Sequence, residues 1–267
     1  MDCWKLTASR LSPTKTGVVI EQELSIYVNG SRLAAASITP TFEKEFVVGY
    51  LFGQGFIDNI DELDSLEIKN NTAQVTLKDS RKTLTDTSKT NYRIVSGGGR
   101  SAYFENTSLR KIRSDIVVRK QDIYAAMNTL FESAGLYGET EGVHAAGLFT
   151  AAASPICIVE DIGRHNSLDK AIGYALLHKI DCSRIFLVST GRMASEMVTK
   201  ICRCGIPVVA TKTAVTDKGL EIGKKWGLTI IGFVRDKGTK INTDMDVRVI
   251  AAAGMKIYSG AARILCE

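Results

Sequence analysis

The sequence is poor in proline (four residues) and in histidine (three), and it has no apolar run near the ~20 residues that a membrane-spanning helix requires. Its longest apolar stretches, such as Ile206 to Ala210 and Leu228 to Val234, are strand-length and contain Pro, Thr or Gly. No basic segment followed by an apolar core opens the chain, so no secretory leader is expected and a cytoplasmic location is the default. There is no G-x-x-x-x-G-K-[ST] pattern, and no G-x-G-x-x-G follows a candidate strand, which argues against a P-loop ATPase and a Rossmann dehydrogenase. Basic blocks interleaved with aromatics are missing, so nucleic acid is not an expected partner. His144 lies in Glu141-Gly-Val-His-Ala-Ala146, but Ala146 stands where a zinc deaminase would carry its glutamate and no Pro-Cys-x-x-Cys follows. No metal site is expected.

What is present suits an ordinary globular protein: 45% hydrophobic and 24% charged residues, enough chain for one large domain or two modest ones. A net charge of +5 would suit a polyphosphate ligand or an acidic partner. The six cysteines, at 3, 157, 182, 202, 204 and 266, are scattered as expected of reduced thiols. Cys202 and Cys204 lie two apart on a predicted helix, about 200° around its axis, so they point nearly opposite ways. Cys204 continues the apolar face of Met193, Met197 and Ile201, which assigns it to the core, with Gly205 as the helix stop.

The pattern predicts an α/β protein with a β-rich N-terminal region over 1–115 and a βαβ-type domain over 116–267. In the first part, Leu24, Ile26 and Val28 alternate ahead of Asn29-Gly30, a tight-turn signal, and a second hairpin surrounds Asn70-Asn71. A helix is predicted from Pro40, where Phe42, Phe46, Val47 and Tyr50 recur at helical spacing. A polar connection over 79–91 leads to the loop Ser96-Gly-Gly-Gly-Arg100. A further helix is predicted over 121–134. After that, strands at 156–160, 185–189, 206–210 and 228–234 alternate with helices at 167–179, 192–204 and 217–226, which predicts a largely parallel sheet. Ligands of such sheets bind beyond the carboxyl ends of the strands, where this chain concentrates Gly, Arg, Lys and acidic residues.

Two of these loops carry candidate chemistry. In Glu160-Asp-Ile-Gly-Arg-His-Asn-Ser-Leu-Asp-Lys170, Asn166 is placed as an N-cap with Asp169 three residues on, and Arg164 could pair locally with Asp169. Capping leaves Glu160, Asp161, Arg164, His165 and Lys170 unexplained, and His165 is the one side chain there suited to acid–base work near neutrality. In Ser189-Thr-Gly-Arg192, exposed amides, two hydroxyls and a guanidinium would together suit a phosphate.

Read in order, these segments resemble the FdhD/NarQ family of formate dehydrogenase accessory proteins. Glu160 to Lys170 matches the family's E-D-x-G-R-H-N-x-x-D-K at every fixed position. Thr140 to Ala146 is similar to its T-G-G-x-H-A-A, and Ser189-Thr-Gly-Arg192 with Ser195-Glu-Met197 and Lys200 is similar to its S-G-R and S/Y-x-E-M segments. Gly232-Phe233 fits the closing G-F. The resemblance implies a C-terminal part similar to the cytidine deaminase fold without its zinc site, often in a homodimer. It also implies a sulfurtransferase role, passing sulfur from a cysteine desulfurase to the molybdenum bis-guanine-dinucleotide cofactor of apo-formate dehydrogenase, with GDP as a mimic of that ligand. The implied cofactor-binding residues are Phe233, Val234, Arg235, Asp236, Lys237 and Gly238. The two loops add Arg164, His165, Asn166, Asp169, Lys170, Ser189, Gly191 and Arg192. The family carries its persulfide on a loop cysteine, and here the corresponding loop has Gly98, which cannot supply a thiolate. The alternative is therefore a non-catalytic chaperone that binds the cofactor and presents it.

Overall fold

The computed structural model describes residues 1–79, 109–235 and 254–266, and the backbone alone of 91–94 and 100–103. The Gly98 position and Asp236, Lys237 and Gly238 lie outside the described residues, as does most of the polar connection predicted over 79–91.

The chain opens with a hairpin of β1 (Asp2–Leu6) and β2 (Leu11–Lys15). A four-stranded sheet follows in the order β4-β3-β6-β5, built from β3 (Gln22–Val28), β4 (Ser31–Ile38), β5 (Leu63–Lys69) and β6 (Thr72–Leu77). Its two hairpin turns are those predicted. Asn29-Gly30 and Asn70-Asn71 all have positive φ, the conformation that matches the twist of the flanking strands. Helix α1 (Glu43–Gly53) joins β4 to β5. Next come the short ladder of β7 (Asn91–Ile94) and β8 (Arg100–Tyr103), then β9 (Val118–Arg119), α2 (Lys120–Ser133) and α3 (Gly135–Thr140).

The larger sheet contains β10 (His144–Thr150), β11 (Pro155–Asp161), β12 (Ile185–Ser189), β13 (Val208–Thr211), β14 (Thr229–Arg235) and β15 (Gly254–Ser259), in the order β11-β10-β12-β13-β14-β15. Helices α4 (Arg164–Leu177), α5 (Ser195–Cys204) and α6 (Asp217–Trp226) link β11 to β12, β12 to β13 and β13 to β14. The final strand β16 (Ile264–Leu265) pairs with β9.

The sheet is mixed rather than largely parallel. Strands β11 to β14 run one way, but β10 lies antiparallel between β11 and β12, and β15 is an antiparallel edge. Sequence reading missed β10 because His-Ala-Ala-Gly-Leu-Phe-Thr shows no alternation; five of its seven residues are buried. Two helix starts also differ from expectation. Helix α4 begins at Arg164, three residues early, and α5 begins at Ser195, three residues late.

Side chains alternate cleanly across this sheet. Ala146, Leu148, Leu187, Val209 and Ile230 face α4 and α5, whereas Ala145, Phe149, Phe186, Val188 and Ile231 face α2. The first of these clusters continues through α1 into Leu24, Ile26, Ala73 and Val75 of the small sheet, so one core spans both regions. Helices α1 and α4 cross at Gly49 and Gly173. A Cβ on Gly49 would overlap the Asp169 carbonyl oxygen, and one on Gly173 would overlap that of Glu45. Only glycine permits backbones to approach so closely.

Candidate functional site

Because β11 to β14 are parallel, Asp161, Ser189, Thr211 and Arg235 end at one edge of the sheet. The antiparallel β10 brings its first residue, His144, to the same edge opposite Asp161. This is the carboxyl-end crevice that βαβ geometry predicts.

The Glu160–Lys170 segment divides into an interior part and an outward part. Asp161 is fully buried, and its Oδ2 accepts from the Thr39 amide at 3.0 Å and meets Lys170 Nζ at 2.7 Å. Its Oδ1 accepts from the Gly163 amide and from Asn166 Nδ2. Lys170 is equally buried and also donates to the carbonyls of Thr39 and Glu160. Burial lowers the Lys170 pKa, and the adjacent Asp161 opposes that shift. Asp169 is held by Lys200 of α5 at 2.6 and 2.7 Å, both side chains being buried. Burial raises the Asp169 pKa and the Lys200 ammonium pulls it back. Glu160 accepts from the amides of Leu136 and Tyr137 at the start of α3.

The capping expectation for this segment is corrected. The N-cap of α4 is Gly163, without a side-chain cap, and Asn166 sits within the first turn, where Nδ2 also donates to the Ser37 carbonyl. Asp169 pairs with Lys200 rather than Arg164, because the i+5 position turns it inward toward α5.

Arg164 and His165 face the edge. Arg164 lies near Arg192, and burial together with that like charge lowers its pKa, with Glu196 opposing. His165 is pushed down to about 3, first by burial and then by Lys200, Arg164 and His144. It is therefore a neutral imidazole at neutral pH, not the poised acid–base group expected from its ordinary pKa. Its buried Nε2 makes no hydrogen bond among the described residues, with Glu196 Oε2 at 3.4 Å. His144, which the sequence left without a role, places Nδ1 3.3 Å from Thr190 Oγ1.

The Ser189–Arg192 loop also departs from expectation. Ser189 and Thr190 are buried, and their hydroxyls serve the protein: Ser189 Oγ accepts from the Gly191 amide, and Thr190 Oγ1 from that of Ala145. A buried turn must satisfy its own polar groups. Arg192 alone of this loop is exposed. Gly191 leaves room for Arg164, whose Cβ would lie 2.9 Å from an added Cβ.

At the end of β14, Phe233 holds φ 55°, a left-handed backbone at a register shift between β14 and β15. Its amide donates to the Thr213 carbonyl, and Arg235 and Lys256 lie over its ring at 5.9 and 5.0 Å. Val234 is buried in the core on the α2 side. Arg235 Nε is buried without a hydrogen-bond partner among the described residues. Lys212, another residue the sequence did not single out, reaches Tyr137 Oη at 3.1 Å. The edge thus gathers Arg164, Arg192, Lys212 and Arg235 around a neutral histidine and an aromatic ring. Such a surface can hold phosphate oxygens and stack a planar base.

Thr39 and Lys200 escaped sequence reading because their partners are 122 and 31 residues away. The Lys200 spacing after Ser195-Glu-Met197 was the one signal that could have flagged it.

The model of the FdhD/NarQ family matches residues 19–265. A sulfur carrier protein FdhD from Methanothermobacter thermautotrophicus is 32% identical over 82% of this chain and 86% of its own length. Relatives of the same name from Bacillus pumilus and Bacillus subtilis are 34% and 28% identical, over 86% and 91% of this chain and 89% and 94% of their own. A solved structure from Desulfotalea psychrophila, 22% identical, superposes with a TM-score of 0.77 over 99% of this chain and 98% of that one, and shows the same fold.

Proposed function

Since the chain belongs to the FdhD/NarQ family, we propose that it is a sulfur carrier for formate dehydrogenase. In this reading it takes sulfur from a cysteine desulfurase and serves the molybdenum bis-guanine-dinucleotide cofactor of the apo-enzyme. The cofactor is its cargo and binds at the carboxyl edge of the large sheet. The observation that carries the reading is the convergence of Arg164, Arg192 and Arg235 beside Phe233, with the buried Arg235 Nε left for an acceptor the protein does not supply. The diphosphates would meet Arg164, Arg192 and Arg235, and a guanine would lie on Phe233. Asp161, Asp169 and Lys170 position the loop from beneath, and His165 stays neutral so that it can hydrogen-bond without adding charge. Asp236, Lys237 and Gly238 complete the proposed contact by their place in sequence. A cytoplasmic homodimer, with a deaminase-like C-terminal part, belongs to the same proposal.

Calorimetry tests the binding. GDP should bind more tightly than ADP, and Arg192→Ala should weaken GDP about tenfold, the usual loss for one charge-assisted contact. Equal affinity for the two nucleotides, or none for either, would overturn the site.

Gly98 favours a second reading, in which the protein presents the cofactor without covalent chemistry. Under that reading, maturation of formate dehydrogenase proceeds unchanged when every cysteine is replaced by serine.

A further inference from the structure

The cysteines fall into distinct environments. Cys157 and Cys202 are buried, and burial pushes both thiols up to about 12, too high for a thiolate at neutral pH. Cys3 and Cys266 stand near the termini. Cys182 and Cys204, 22 residues apart, bring their sulfurs to 3.3 Å. This corrects the expectation for α5: Cys202 is the core residue, and Cys204 is the half-buried one that faces a neighbour.

The meeting follows from topology. Cys182 opens the short 3-10 turn that precedes β12, and Cys204 ends α5, which runs back from the far end of the same strand. Both line a cavity of about 720 Å³, whose wall also carries Arg110, Lys111, Arg113 and Arg203. Arg203 is engaged by Asp58 and the Ile57 carbonyl. A hydrogen bond from Cys204 lowers the Cys182 pKa, and Cys204 is raised by the same bond. The cavity lies at the amino edge of the large sheet, opposite the candidate site and roughly 16 Å from it along β12.

We propose that Cys182 and Cys204 form a sulfane-sulfur relay, Cys182 accepting sulfur from a persulfide and Cys204 discharging it. The proposal rests on the sulfur-carrier reading and names the thiols that perform it. In the first step the Cys182 thiolate attacks the terminal sulfur of a donor persulfide, R–S–SH. The donor S–S bond breaks, its electron pair leaves on R–S⁻, which takes up the proton, and Cys182 becomes a persulfide with no net oxidation. In the second step the Cys204 thiolate attacks Cys182 Sγ and expels HS⁻, which leaves with the electron pair of the broken bond. A Cys182–Cys204 disulfide remains, and a dithiol reductant reopens it, becoming a disulfide itself. A separation of 3.3 Å needs only a small side-chain movement to reach bonding distance. The basic wall favours an anionic persulfide at entry. Because the pair and the proposed cofactor edge are on opposite sides of the sheet, sulfur leaves as diffusible hydrosulfide rather than by contact.

The test uses the full chain, reduced, freed of reductant and mixed with glutathione persulfide without oxygen. Peptide mapping and a hydrosulfide assay follow. The wild-type chain should form the Cys182–Cys204 disulfide and release hydrosulfide in equal amount. Cys204→Ser should instead retain one added sulfur on Cys182, and Cys182→Ser should do neither. A disulfide without hydrosulfide, or no added sulfur on Cys182 in Cys204→Ser, overturns the relay. Added sulfur on Cys3 or Cys266 also overturns it and leaves the carrier reading standing. If no cysteine takes sulfur while GDP still binds, the carrier reading falls together with the relay.

Discussion

Asp169 and Lys200 illustrate how single residues beneath the site are held. Both are buried, and each is the other's charge partner. Lys200→Met leaves a buried carboxylate without its cation and should cost about 3–5 kcal/mol, whereas Lys200→Met with Asp169→Leu should recover most of that loss. Urea unfolding of the three variants checks both expectations. His165 makes a pH-dependent contribution of known sign. Its pKa is about 3 in the folded chain against an ordinary 6.5. Between those values the unfolded chain binds a proton that the folded chain excludes. The contribution is therefore fully present above about 6.5 and is lost as pH falls toward 3, with a slope of up to about 1.4 kcal/mol per pH unit. His165→Gln should flatten that slope in thermal melts recorded from pH 7 to pH 4. An unchanged slope would place the acid sensitivity elsewhere.

At the scale of elements, α1 and α4 touch through backbone at Gly49 and Gly173. Leucines can exchange volume with their neighbours, but a carbonyl oxygen has no rotamer with which to yield. Gly173→Ala should force the helices apart and destabilise the fold by more than the about 1–3 kcal/mol typical of overpacking. Since α4 begins at Arg164, the same change should weaken GDP binding, although residue 173 is more than two turns from the candidate site. Melting temperature and calorimetry on one sample separate the two effects. Elements whose signals are local were legible in the sequence. The Asn-Gly and Asn-Asn turns announce their hairpins, α6 has the predicted bounds, and Gly205 stops α5 with φ 79°. The start of α4 was misjudged because Asn166 resembles an N-cap, while its amide is committed to Asp161 and Ser37.

Across the whole molecule, what the sequence concealed is what only long-range packing decides. Nothing in His144 to Thr150 announces an antiparallel strand inserted between two parallel ones, and nothing near Cys182 points to Cys204. The carboxyl edge was legible because strand–helix alternation dictates where parallel strands end. Its chemistry was legible only in part, since burial decides which hydroxyls and charges remain available. Thr39 ties these levels together. It belongs to the segment after the small sheet, yet its amide, carbonyl and hydroxyl engage Asp161, Lys170 and the Ile162 amide respectively. The small sheet therefore ends in a three-point clasp on the motif of the larger one. The two regions are accordingly not interchangeable modules. Residues 116–267 grafted behind an unrelated leader would carry Asp161 and Lys170 with only each other for support, and inheritance of the motif entails inheritance of the strand that grips it.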